Sequence, residues 1–154
     1  MASLPDLDSP APDLDLPAWA DGGEQRLRLS EQRGAPVVLA FYPGDETPVC
    51  TRQLCSYQDD LQVLEGLGAQ VWGISSQDVA SHQRFAERRG LTFPLLADTD
   101  KTAQRAYGVV GPLGMTKRSV FVVDREGVLR WSHVSTVGLR YQDVDTLAGV
   151  LTGL

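Results

Sequence analysis

The run Val37-Val38-Leu39-Ala40-Phe41-Tyr42 constrains the fold more than any other segment, because consecutive apolar residues leave a strand no polar face to turn toward water. Such a strand belongs inside a sheet covered on both sides, the arrangement of α/β proteins. The flanking patterns agree. Short apolar strands recur at Val71 to Ile74, at Leu95 and Leu96, and at Val120 to Val123. Helical periods separate them: about Val79 to Arg89, capped by Asp78 and stopped by Gly90, and about Thr102 to Tyr107. This alternation implies parallel pairing at the sheet's centre. Arg26 to Leu29 alternates basic and apolar residues like a half-exposed strand, and Val128 to Val134 follows a turn at Arg125 to Gly127, which predicts a hairpin with the strand before it. A closing helix carries Val144, Leu147, Ala148 and Leu151 on one face.

At 154 residues the chain suits one domain with a core of its own. Residues 1–11, acidic and punctuated by Pro5 and Pro10, read as a flexible tail, and 12–154 as a single domain. The formal net charge of -6 argues against an electrostatic grip on nucleic acid or an anionic membrane. No secretory pattern or membrane-spanning run stands out, so a cytoplasmic location is expected. Cys50 and Cys55 are too few for a disulfide scaffold, and with His82 and His133 they lack the paired spacing of a zinc site. Neither a metal nor an organic cofactor is expected: the chain has no phosphate loop and no dinucleotide fingerprint.

The most informative stretch follows the apolar run. After a turn through Pro43, Gly44 and Asp45, Thr47 suits a helix N-cap and Pro48 the first helical position, which puts Cys50 at N3. Cys50, Leu54, Tyr57, Leu61 and Leu64 then share one helical face, with Gly66 or Gly68 to end the helix. Cysteine is a nucleophile as thiolate, and the first turn of a helix favours that anion through its unpaired N–H groups and the positive end of the dipole. Read alone, Cys50 is more readily taken as one more apolar residue on the buried face.

The segment from Phe41 to Cys50 resembles the peroxiredoxin active-site loop, Pro-x-x-x-Thr-x-x-Cys, met by Pro43, Thr47 and Cys50. Arg118, before the strand at Ser119 to Val123, resembles the family's arginine, and the Cys50 to Cys55 spacing is similar to that of the peroxiredoxin Q group, also called bacterioferritin comigratory protein. The likeness runs from about Ala11 to Leu151. It implies a thioredoxin-like α/β fold, a central mixed sheet flanked by helices with an N-terminal strand extension. It also implies a thiol peroxidase. Cys50 would be the peroxidatic residue and Cys55 the resolving one, with Thr47 and Arg118 acting on sulfur and peroxide and Pro43 shielding the sulfur. Partners would be a peroxide and thioredoxin or a similar dithiol reductant, and the chain a monomer or weak dimer. A peroxide-responsive switch and a thioredoxin-like disulfide reductase are the alternatives.

Magnitudes decide what such a site must do. A free thiol of pKa about 8.5 is already a few per cent ionised at neutral pH, so complete ionisation gains only about thirtyfold. Alignment of the O–O bond and stabilisation of the departing oxygen must supply the rest, with Arg118, Thr47 and N–H groups near Cys50 as candidates. On one helix, residues five apart have Cα atoms about 8 to 9 Å apart. A disulfide tolerates less than about 7 Å, so bridging Cys50 to Cys55 would require the helix to unwind. Gln53, three residues after Cys50, either helps hold the site or is solvated. His82 and His133 read as packing or surface residues.

Overall fold

The computed structural model describes residues 4–135 and 141–154. The apolar run forms β3 (Val37–Phe41), parallel to β4 (Gln70–Ser75) on one side and antiparallel to β6 (Ser119–Val123) on the other. β4 also pairs in parallel with β5 (Leu95–Ala97), and β5 pairs antiparallel with β1 (Asp15–Ala20). β2 (Gly23–Arg28) and β7 (Leu129–Val134) close the two ends, so the order among the described residues is β2-β1-β5-β4-β3-β6-β7.

β3 shows why an unbroken apolar run was required. Val38 and Ala40 point to one core, with Tyr42 just beyond the strand, while Val37, Leu39 and Phe41 point to the other. The first core is covered by α1 (Pro48–Asp59), α2 (Leu61–Gly66), α3 (Val79–Arg89) and α5 (Val144–Thr152), through Leu54, Leu64, Phe85 and Leu147. The second is covered by α4 (Thr102–Ala106) through Ala103, and by Leu14 and Leu16. α3 starts and stops as its sequence predicts: Asp78 accepts a hydrogen bond from Ser81 N, and Gly90 takes the left-handed conformation at φ 69°.

Four expectations need correction. The strand at Arg26 to Leu29 is the end of β2, and its partner β1 was hidden by Pro17; the proline is tolerated because β5 pairs β1 only at Ala18 and Trp19. The helix expected from Cys50 to Leu64 breaks at Asp60, whose backbone (φ −110°, ψ 20°) divides α1 from α2. Thr47 occupies the N-cap of α1, but its side chain makes no capping bond. The second half of the expected loose tail is tied down: Asp8 N donates to Leu129 O, Ala11 N to Gly127 O, and Leu129 N to Ser9 O. Backbone pairing with residues 127–129, where the chain enters β7, holds it, which composition cannot reveal. The first three residues of that tail lie outside the described residues.

Candidate active site

The site forms where β3 hands the chain to α1. Phe41 pairs with Ser119, so Arg118 stands beside Tyr42 at the end of β3 from which the Pro43 to Thr47 loop departs. Strand pairing thereby joins two segments far apart in sequence. Cys50 sits at the third residue of α1 and is fully buried. Arg118 is also buried, and its Nη2 donates to Cys50 Sγ at 3.2 Å. The guanidinium is held in place by Gln53, one turn along α1, whose Oε1 accepts from Arg118 Nη1 at 2.5 Å. Gln53 Nε2 donates to Tyr57 OH at 3.2 Å, and that hydroxyl donates to Gln142 O at 2.6 Å. Burial, outweighing the hydrogen bond from Gln53, pushes the Tyr57 phenol up to about 12, so it remains a donor through the physiological range.

Thr47 is exposed, and its Oγ1 donates to Gly44 O at 2.9 Å. Its one proton is therefore committed, and toward a ligand the hydroxyl offers only lone pairs. Because Thr47 does not cap the helix, it leaves the first-turn N–H groups of α1 to an anion at the sulfur. Pro43 is half-buried in the same loop. Cys55 lies on α1 with Cys50, both thiols are free, and Cys55 is partly exposed. Burial pushes the Cys55 thiol above its ordinary value; Arg89 opposes the shift, and Asp59 and Glu46 add to it.

Two residues near the loop have roles that sequence reasoning missed. His82, expected as packing at a helix edge, is fully buried, and its Nδ1 lies 2.7 Å from Asp45 Oδ2. Asp45, which read as a turn residue, also accepts from Tyr42 OH at 2.6 Å and Ser81 Oγ at 2.7 Å. The available signal was the place of His82 on the apolar period between Val79 and Phe85, where a polar residue needs a buried partner. His133 is exposed and stacks on Trp131. Among the described residues no group of three or more His, Cys, Asp or Glu could hold a metal ion, and no helix is long and apolar enough to cross a membrane.

Residues 7–132 match the AhpC/TSA family. The chain is 41% identical over 113 residues to a chloroplastic peroxiredoxin Q of Triticum aestivum and 40% identical over 112 residues to one of Populus jackii. These alignments cover 72% and 71% of this chain and 52% and 53% of the relatives, so the chain spans about half the length of these plant proteins. A Coxiella burnetii protein carrying the name peroxiredoxin bcp is 37% identical over 137 residues, covering 83% of this chain and 89% of its own. The fold is shared with Enterococcus faecalis AhpC (TM-score 0.88, 26% identity, 96% of this chain and 90% of that one). It is shared also with a reduced 2-Cys peroxiredoxin of Plasmodium vivax (TM-score 0.89, 20% identity, 95% and 80%). The fold is thus thioredoxin-like, a mixed sheet flanked by helices.

Proposed function

The chain belongs to the AhpC/TSA family, in its peroxiredoxin Q and bcp group, and from that premise we propose that it is a thiol peroxidase acting through Cys50. The observation that carries this reading is the buried Arg118 donating to Cys50 Sγ at 3.2 Å, a cation held against a nucleophile at a helix N-terminus. In the proposed reaction the Cys50 thiolate attacks one peroxide oxygen and the O–O bond breaks. Cys50 becomes sulfenic acid, and the departing oxygen takes a proton to leave as water or an alcohol. Arg118 and the first-turn N–H groups stabilise charge on the oxygens, while Thr47, its proton committed to Gly44, accepts from the peroxide hydroxyl. Complete burial of Cys50 favours hydrogen peroxide or a slender hydroperoxide.

Resolution falls to Cys55. Its thiolate attacks the Cys50 sulfur, hydroxide leaves and is protonated, and a disulfide forms. A dithiol protein such as thioredoxin then reduces the bridge by exchange, supplying two electrons. A reducing compartment that maintains such dithiols is the setting this cycle needs.

The test is steady-state peroxide reduction, with thioredoxin as reductant, by wild type, Cys50→Ser and Cys55→Ser. Wild type should consume many equivalents, Cys50→Ser none, and Cys55→Ser at most one unless a monothiol is supplied. Activity surviving in Cys50→Ser would overturn the proposal. Wild type stopping at one equivalent with every dithiol tried would instead mark a peroxide-responsive switch.

A further inference from the structure

The loop that delivers Thr47 and Cys50 contains a backbone outlier. Glu46 has φ 65° without being glycine or asparagine, a conformation that persists only where surrounding contacts impose it. Its carboxylate meets Arg88 and Arg89 on the surface, pairs too exposed to hold much. The firmer hold is one residue earlier. Asp45 is tied through its backbone N–H to Gln77 Oε1 at 3.0 Å, and its nearly buried carboxylate collects Tyr42, Ser81 and His82.

His82 carries that hold into the sheet. Its Nε2 lies 2.9 Å from Leu96 O, and because a carbonyl only accepts, Nε2 carries a hydrogen and donates. One further hydrogen lies between Nδ1 and Asp45 Oδ2. The imidazole therefore bridges β5 to the active-site loop, with every polar atom satisfied and none exposed. None of its hydrogen-bond partners is Cys50, and the proposed peroxidase chemistry gives it no role.

We propose that His82 is a positioning residue: acting through Asp45, it holds the Pro43 to Thr47 loop in the shape that sets Thr47 and the first turn of α1 around a peroxide. This rests on the peroxidase reading and extends it to a residue outside the reacting groups. The role predicts a split between two reactions of the same thiol. Oxidation by peroxide needs the oxygens aligned by Thr47 and Arg118, whereas alkylation by iodoacetamide needs the thiolate but no such alignment.

The split can be read from His82→Phe, His82→Gln and His82→Asn. Asparagine places its amide nitrogen one bond from Cγ, as histidine places Nδ1, and so keeps a donor for Asp45. Glutamine places its nitrogen two bonds from Cγ, as histidine places Nε2, and so keeps the one for Leu96. Single-turnover oxidation of Cys50 by hydrogen peroxide is followed by quenched-flow mass spectrometry, and its alkylation by peptide mapping. Phe and Gln should slow oxidation by about tenfold or more while alkylation stays within about twofold, and Asn should stay within about threefold of wild type for both. Loss of both reactions in parallel, or of neither, overturns the proposal, as does Gln matching Asn. Should the His82 variants not fold, Asp45→Asn is read the same way: the same split supports the role, and parallel loss or none refutes it. A wild-type Cys50 that peroxide does not oxidise removes the peroxidase reading and this inference with it.

Discussion

Arg118 reaches across 68 residues of sequence to donate from Nη2 to Cys50 Sγ at 3.2 Å, and neither side chain is meaningfully exposed. In the peroxidase reaction proposed above, a cation in that position would interact with the sulfur before reaction and with the oxygens as the O–O bond breaks. Arg118→Met should therefore lower the rate of Cys50 oxidation by peroxide by about 10² to 10³. Arg118→Lys should recover little, because a single ammonium cannot face both Cys50 and Gln53 Oε1 as the forked guanidinium does. Stopped-flow oxidation kinetics measure both, and a loss under about threefold would remove Arg118 from the reaction.

Cys50 and Cys55 share α1, and ideal helical geometry puts their Cα atoms about 8 to 9 Å apart. A disulfide must therefore unwind the first turns of α1, which also exposes Leu54 and Tyr57, buried on the same helix. Hydrogen exchange over residues 48–57 should be faster in the peroxide-treated protein than in the reduced one. Equal protection, with the Cys50 to Cys55 bridge proven by mass, would show that the bond forms without melting.

Because the Cys55 thiol is held above its ordinary value, its reactive thiolate is a minor species at neutral pH. The sign follows directly: raising pH deprotonates more of it. The step from sulfenic acid to disulfide should accelerate by about tenfold per pH unit between pH 6 and 8, levelling only in the alkaline range. A pH-jump series after one equivalent of peroxide checks this. A flat profile would mean that something other than ionisation of Cys55 limits resolution.

Tyr57 OH receives Gln53 Nε2 and donates to Gln142 O, so it braces the residue that holds Arg118. Tyr57→Phe should destabilise the reduced protein by about 1 to 3 kcal/mol, since two polar groups lose a partner. At this chain length that is roughly 2 to 4 °C of melting midpoint per kcal/mol. Calorimetry showing an unchanged midpoint would mean that water replaces the hydroxyl at no penalty.

Much of the site was legible before any coordinates. Cys50 at N3, the turn after Tyr42 and the two thiols on one helix follow from local spacing, because φ restriction at proline and apolar periodicity act over a few residues, whereas Arg118 stood out only through the resemblance to the peroxiredoxin family. The unbroken run at Val37 to Tyr42 likewise dictated a sheet covered on both faces, since such a strand has no side to give to water.

Tertiary structure decided the rest. Whether Thr47 caps the helix or bonds Gly44, whether Gln53 faces solvent or holds Arg118, and whether His82 packs passively or bridges Leu96 O to Asp45 depend on groups brought together by the sheet. β1 was invisible for the same reason: Pro17 argues against a strand locally, and only its neighbours show that the missing N–H is never needed. The sequence by itself determined that Cys50 opens a core-facing helix after a buried strand and that Cys55 shares that helix, because propensity and spacing are local. Their partners were left to the fold, because a hydrogen bond is satisfied by whatever lies within about 3 Å in space, at any separation along the chain.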